Sequence, residues 1–326
     1  MATDTRGRAS FVADRGDGAG RLDQAIQRRL GPAFALSRSA VQRLVAAGGV
    51  TVNGRLASRP AQRLATGDVV GVAATPRPAR AEPAAERLPL EILFENEDLL
   101  VVSKPAGMVA HPTSRQREGT LLNALLWHAG AAGWTPRLVQ RLDRGTSGLI
   151  VVAKSPAAHA ALQAPAARFD KQYLAVVWGR PAPPHGRLEG ALGRDPLDRR
   201  RMMVRATGAP SKTAYDLLAR TTGEGPGLSL VRCRLFTGRT HQIRVHLADR
   251  GWPIVGDAVY GTPPRRRLAA PALDRAARAF PRQALHAWRI AFRPPGASAD
   301  LAFVAPLPAD MRELLTGAGL PLPPAA

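Results

Sequence analysis

The sequence predicts an α+β fold: a large domain with a mixed, mostly antiparallel sheet flanked by helices and loops, preceded by a small N-terminal α/β module. Three observations lead there. Over residues 90–326, strand-length apolar runs are broken by scattered helices and do not alternate regularly with them. Over residues 20–74, two short amphipathic helices run into a tight-hairpin signal. Between these stretches, residues 75–89 carry Pro76, Pro78, Pro83 and Pro89 among alanines and charges, a composition that reads as a semi-stiff linker.

Taken in order, residues 1–19 are rich in Gly, Asp and Arg and read as a loose tail. Leu22, Ile26 and Leu30 recur every four residues, giving one helix stripe with Arg21, Arg28 and Arg29 off it. Gly31-Pro32 is expected to stop that helix. A second helix follows a serine cap at Ser37 or Ser39, with Val41, Leu44 and Val45 facing inward and Gly48-Gly49 ending it. Val50-Thr51-Val52 then meets Asn53-Gly54, a two-residue hairpin turn, and Asp68 to Val72 closes the unit as a strand.

In the larger part, Leu90 to Phe94 and Leu99 to Val102 flank the turn residues Asn96 to Asp98. Strands are also expected at Gly148 to Ala153, Tyr173 to Trp178, Leu228 to Phe236 and Ala284 to Phe292. Helices are expected at Leu121 to Trp127, at Pro156 to Ala167 with Pro165 limiting its end, and at Thr240 to Asp249 capped by Thr240. Residues 263–282 are rich in Arg and Pro and read as a surface excursion with a short helix from Ala272 to Phe280.

The 326 residues carry 46 Lys and Arg against 25 Asp and Glu, a net charge of +21. So large an excess calls for a polyanionic partner, nucleic acid ahead of an anionic membrane surface. With one cysteine, Cys233, the chain forms no internal disulfide and no thiolate zinc site. Met1 to Ser10 is polar and lacks the apolar stretch of a secretory signal, and no run of 18 apolar residues exists. A cytoplasmic protein without membrane contact is expected.

Within the first module, Arg38 and Arg43 fall on the outer face of the second helix and Arg55 follows the hairpin turn. Cations at fixed spacing suit phosphates, although a solvated helix face explains them equally well from the residues alone. Asp143 stands between Arg141 and Arg144, just before a Gly/Thr/Ser turn and an apolar run. A carboxylate in a loop braced by rigid structure suits catalysis, and an ion pair or turn cap is the other reading. Arg239 precedes the helix expected at Thr240, and Arg244 lies on it. His241 and His246 are five apart and share a helix face poorly, which argues against a metal pair. Ser147, in Gly145-Thr-Ser-Gly, lacks the second spaced glycine of a nucleophile elbow, so a serine hydrolase is disfavoured.

The run Leu36-Ser-Arg-Ser-Ala-Val-Gln-Arg-Leu-Val-Ala-Ala-Gly-Gly-Val-Thr-Val-Asn-Gly-Arg resembles the small S-four-type RNA-binding module of a ribosomal protein. The segments Val102-Ser-Lys-Pro-Ala-Gly-Met-Val-Ala-His-Pro112, Arg141-Leu-Asp-Arg-Gly-Thr-Ser-Gly148, Lys171-Gln-Tyr-Leu-Ala-Val-Val-Trp-Gly179, Gly238-Arg-Thr-His-Gln-Ile-Arg-Val-His246 and Arg282-Gln-Ala-Leu-His286 together resemble the RluA family of pseudouridine synthases. Gly193 to Met202 and Ala305 to Leu314 are most similar to its RluD-like branch, whose members modify a stem-loop of large-subunit ribosomal RNA. One departure stands out: the residue before Arg141 is Gln140, where the family usually has His.

The resemblance implies an isomerase that flips a uridine out of its stack, breaks the N1–C1′ bond, turns the uracil and rejoins it through C5. It implies Asp143 as the essential carboxylate, Arg244 as its partner and Tyr173 as the residue that stacks on the flipped base. Arg141, Arg144 and Arg239 are expected to contact RNA with Arg38, Arg43 and Arg55. Nothing is oxidised and no group leaves, so neither cofactor nor metal is expected. Ribosomal RNA, or a pre-ribosomal particle, is the expected partner of a monomer. The other reading, a non-catalytic RNA-binding assembly factor on the same scaffold, sits poorly with the joint presence of Asp143, Tyr173 and Arg244.

Overall fold

In the computed structural model, residues 2–3, 8–17, 20–34, 36–73, 82–130, 132–294 and 296–324 are described. The chain forms two compact units, Met1–Glu82 and Pro83–Ala326.

The first unit contains β1 (Ala2–Thr3), β2 (Arg8–Val12), α1 (Leu22–Phe34), α2 (Arg38–Ala46), β3 (Val50–Val52), β4 (Arg55–Leu56) and β5 (Val69–Ala73). The strands form an antiparallel sheet in the order β1-β2-β5-β3-β4. Leu22, Ile26, Leu30 and Phe34 of α1 and Val41 and Val45 of α2 are buried with Val50, Val52, Val70 and Val72 of the sheet. Ser37 caps α2, its Oγ accepting from Ala40 N. At the hairpin, Asn53 (φ +50°) and Gly54 (φ +75°) both adopt the left-handed backbone that a two-residue turn needs.

Two sequence expectations fail in this unit. Residues 1–19 are not a loose tail throughout, because β2 pairs along β5 with Ala9 and Phe11 buried. The chain that follows is clamped by the buried Asp17, which takes Arg28 and both Nε and Nη2 of Arg29. An alternation as short as Ala9-Phe11-Ala13 was masked by its charged neighbours. Nor does Gly31-Pro32 end α1, which runs on to Phe34. Phe34 extends the four-residue stripe by one more step into the core, and that burial outweighs the local breakers.

The second unit contains β6 (Glu91–Glu95), β7 (Leu99–Lys104), α3 (Leu121–Gly130), β8 (Arg137–Leu138), β9 (Ser147–Ala153), α4 (Pro156–Gln163), β10 (Asp170–Trp178), β11 (His185–Arg194), β12 (Met202–Val204), β13 (Ala209–Arg220), β14 (Leu228–Leu235), α5 (Gln242–Asp249), α6 (Pro271–Arg278), β15 (Leu285–Phe292), β16 (Leu301–Val304) and α7 (Ala309–Gly317). They build an 11-stranded sheet in the order β12-β11-β13-β14-β10-β15-β9-β7-β6, with β16 on β15 and β8 on β9. Among the described residues its pairs are antiparallel except β9 with β15. This is the mixed, mostly antiparallel α+β arrangement that the apolar runs predict.

Strand alternation assigns the sheet's two faces. Leu100, Val102, Ile150 and Val152 join the cluster of Leu121 and Leu125 of α3 and Met311 and Leu315 of α7. Leu99, Val101, Leu149 and Val151 pack on the other side with Ala158 and Leu162 of α4. β9 is buried along its whole length, which explains its unbroken apolar sequence.

Of the expected linker, residues 75–81 lie outside the described residues. Residues 82–89 do not run free: Ala84 O accepts from Asn123 Nδ2, and the Glu86 carboxylate accepts from Gly119 N. Packing of the larger unit therefore begins before residue 90. Residues 263–282 hold α6, where the buried Asp274 gathers Arg267, Arg278 and the Leu268 N–H.

Candidate active site

Asp143 sits in the loop between β8 and β9, and that loop is held through its backbone. Thr146 N donates back to Asp143 O, and Gly107 N donates to Arg144 O. Arg282, paired with Asp310, donates to Gly145 O, while Gln283 Nε2 reaches Thr146 Oγ1. A Cβ on Gly145 would meet the Gln283 amide oxygen at 2.3 Å, so a side chain there would push that amide off Thr146. Beneath the loop, the wholly buried Lys104 donates to Pro105 O and Met108 O. Burial pushes its ammonium down to about 7, Arg282 adding to that shift and Asp143 opposing it.

Arg244 projects from α5. Its Nη1 donates to Asp143 Oδ2 at 2.8 Å, and its Nε and Nη2 grip both oxygens of Asp257 at 2.7 and 2.9 Å. Asp257 is fully buried and also accepts from Val259 N and Tyr260 N, whereas the Asp143 side chain is 28% exposed. Burial alone would lower the Arg244 pKa, but the bonds to Asp257 and the charge of Asp143 raise it. Burial would likewise raise Asp257, and Arg244 overrides this and lowers it. The guanidinium is a fixed cation with one carboxylate to anchor it and one turned toward solvent.

A cleft of about 640 Å³ opens here, lined by Asp143, Tyr173, Arg244, Arg141, Arg239 and His241 among others. That volume falls within the roughly 300–1,000 Å³ usual for small-ligand sites. Tyr173 lies on β10, paired with both β14 and β15, and is 8% exposed. Burial, with the charge of Asp143, raises its phenol pKa, so the ring is neutral. Residues 30 to 101 apart in sequence, Asp143, Tyr173 and Arg244, thus share one cavity.

The remaining site expectations divide. Arg141 and Arg239 are exposed and line the cleft. Arg144 is not among its lining residues, and its Nε donates to Gly107 O. In the smaller unit, Arg38 donates to the buried Asp23, which Arg21 and Gln42 also hold, so this arginine braces α1 and α2. Arg43 and Arg55 are exposed and have no side-chain partner among the described residues. Gln140 lines the cleft with its Oε1 buried and unpaired among the described residues.

The expected Thr240 cap is not found. α5 starts at Gln242, and His241 precedes it in left-handed backbone. Gln242 does the holding instead: its Oε1 accepts from Thr237 Oγ1 and Arg239 N, and its Nε2 donates to Lys212 O and Thr213 Oγ1. His246 is satisfied by Ser211 and Thr213. Ser147 is 3% exposed and bonded to His286 Nδ1, and His286 Nε2 meets Ala305 O. That carbonyl fixes the proton on Nε2, so the buried pair is structural. Sequence reasoning gave no role to Asp257, Tyr260 or Lys104; Lys104 fell in the quoted stretch Val102 to Pro112, and for the other two the spacing of glycines and an acid between Gly251 and Gly261 was the available signal.

A cleft where a buried arginine presents a carboxylate beside an aromatic ring, on a mixed sheet of this order, defines a class. The chain belongs to the RNA pseudouridine synthase family. Residues 98–249 match the family described as RNA pseudouridylate synthase, and residues 20–70 match the S4 domain. Ribosomal large subunit pseudouridine synthase D of Nitrosomonas europaea is 40% identical over 299 residues, covering 90% of this chain and 83% of that relative. The protein of the same name in Escherichia coli O157:H7 is 37% identical over 301 residues, covering 90% of this chain and 89% of its own length. The solved structure of human RNA Pseudouridylate Synthase Domain Containing 4 shares the fold, with a TM-score of 0.58 and 23% identity over 72% of this chain and 95% of that one. The protein is therefore an isomerase of uridine in RNA. Among the described residues, no helix is long and apolar enough to cross a membrane.

Proposed function

We propose that this enzyme converts specific uridines of large-subunit ribosomal RNA to pseudouridine in the cytoplasm, acting as a monomer, with Asp143 as the essential carboxylate. The observation that carries the reading is the Arg244 guanidinium, locked by Asp257 and presenting Asp143 to the cleft beside Tyr173. The names of the relatives support the substrate class.

In this reading Tyr173 stacks on the flipped uracil and Asp143 acts at the sugar or the base. Arg141 and Arg239 take the neighbouring phosphates, as their exposure at the rim allows. Residues 20–74 form the RNA-binding module, with Arg43 and Arg55 among its exposed cations without a side-chain partner in the described residues, and the catalytic domain follows the linker. A non-catalytic assembly factor would have no use for a carboxylate held this way. Chemical mapping of pseudouridine in ribosomal RNA from cells lacking the protein tests the proposal. Loss of discrete large-subunit positions, restored by the wild-type chain, is expected; an unchanged map would refute the substrate assignment.

A further inference from the structure

His241 stands just before α5 with φ +57° and ψ 19°. Left-handed backbone of this kind costs a residue with a Cβ roughly 1–3 kcal/mol and persists where surrounding contacts enforce it. Here they also fix the ring. His241 Nδ1 lies 2.8 Å from Tyr260 Oη, and that oxygen accepts from Met202 N at 2.7 Å. The two rings meet edge-on with centroids 5.6 Å apart.

The proton positions follow from this chain. A backbone N–H only donates, so the Met202 bond uses one of the two lone pairs of Oη, and the phenol proton is satisfied when Oη donates to Nδ1. Nδ1 is then an acceptor, and the proton of a neutral imidazole must sit on Nε2. Burial lowers the His241 pKa against the opposing pull of Asp143, and Arg244 adds to the lowering. His241 lines the cleft, and its Nε2 lies 3.9 Å from Asp143 Oδ1, beyond hydrogen-bond reach. An N–H donor thus stands next to the essential carboxylate, on a residue that lines the cleft.

We infer that His241 Nε2–H donates to a carbonyl oxygen of the flipped uracil and stabilises the negative charge that builds there during isomerisation. This rests on the placement of the reaction at Asp143. Breaking N1–C1′ leaves the bonding pair on the ring, spread onto O2 and O4. When C5 bonds to C1′, the C5 proton departs and N1 regains one, so the product is an isomer and no other reagent is consumed. Adding a nucleophile to the ring also puts charge on a carbonyl oxygen, so the donor serves either route. Donors aimed at charge that develops only in the transition state raise the rate more than the affinity. A phosphate fits less well, because a permanent anion would stand against the Asp143 carboxylate.

The test is single-turnover isomerisation of a large-subunit ribosomal RNA transcript by the full chain, with RNA affinity measured in parallel. His241→Ala is expected to slow the step about 10²-fold, in line with loss of one such donor, and to leave affinity within severalfold. His241→Gln, whose amide reaches the Nε2 position, is expected to recover most of the loss. His241→Asn tolerates the left-handed backbone but stops short of that position, and should behave as the alanine variant does; it reports the missing donor if the alanine variant fails to fold. Nitrogen-15 spectra of the imidazole should show the Nε2–H tautomer in wild type and a mixture in Tyr260→Phe. A wild-type rate in the alanine or asparagine variant, no recovery by glutamine, a defect in affinity alone, or an Nδ1–H tautomer would overturn the inference. If Asp143→Asn is inactive while His241→Ala is fully active, only the role of His241 falls; if Asp143→Asn is active, the underlying site reading falls with it.

Discussion

Arg244 divides one guanidinium between two carboxylates of unequal burial, and the difference sets their roles. Asp257, fully buried with two backbone donors, fixes the arginine; Asp143, partly exposed, receives what is left of its donor set and faces the cleft. Asp257→Asn should therefore damage activity without touching substrate. Removing one partner of a buried pair costs about 3–5 kcal/mol, and misplacing a reacting group by an ångström costs on the order of 10² in rate. Denaturant unfolding and single-turnover rates are expected to show both losses; unchanged values in each would remove Asp257 from its anchoring role. His286 gives a pH signature at the same scale. Burial lowers its pKa to about 4 from the ordinary 6.5. The unfolded chain then binds more protons than the folded one between those values, so its contribution is full above 6.5 and lost as the pH falls through 4. The loss amounts to about 3 kcal/mol at most. The difference in unfolding free energy between wild type and His286→Leu should shrink across that window, and a difference independent of pH would contradict the assignment.

At the scale of elements, the Asp143 loop is held by the strand that follows it. Where β9 meets β15, Gly148 has φ +108°, and a Cβ there would stand 2.2 Å from Ala287 O. Gly148→Ala combines a forbidden conformation with a backbone clash and is expected to cost more than about 2 kcal/mol; a thermal midpoint within a degree of wild type would refute this. The same scale explains what the sequence made legible. β9, β10, β14 and β15 were readable because central strands bury both faces and appear as apolar runs. β11 escaped because only Leu188 and Leu192 of its ten residues are buried, a spacing of four where a strand usually signals with two. Asp143, Tyr173 and Arg244 were reached through motif resemblance. Asp257 and Tyr260 join Arg244 through a turn closed by tertiary packing, and no local pattern announces the left-handed His241.

Over the whole molecule, the +21 charge and the catalytic cleft answer different needs. In the proposed reading, charge supplies salt-sensitive affinity and the cleft supplies chemistry. In the smaller unit, Arg38 is committed to Asp23 while Arg43 has no side-chain partner among the described residues. Arg43→Glu should flatten the dependence of RNA affinity on salt by about one unit of slope per lost phosphate contact and leave folding intact. An unchanged slope would make that face ordinary solvated surface.

The most direct test of the account is Asp143→Asn, assayed for pseudouridine formation in large-subunit ribosomal RNA under single-turnover conditions alongside RNA binding. Asparagine keeps the shape of the side chain and removes its charge. The account predicts no product above background with affinity within severalfold of wild type. Product formed at the wild-type rate would contradict it.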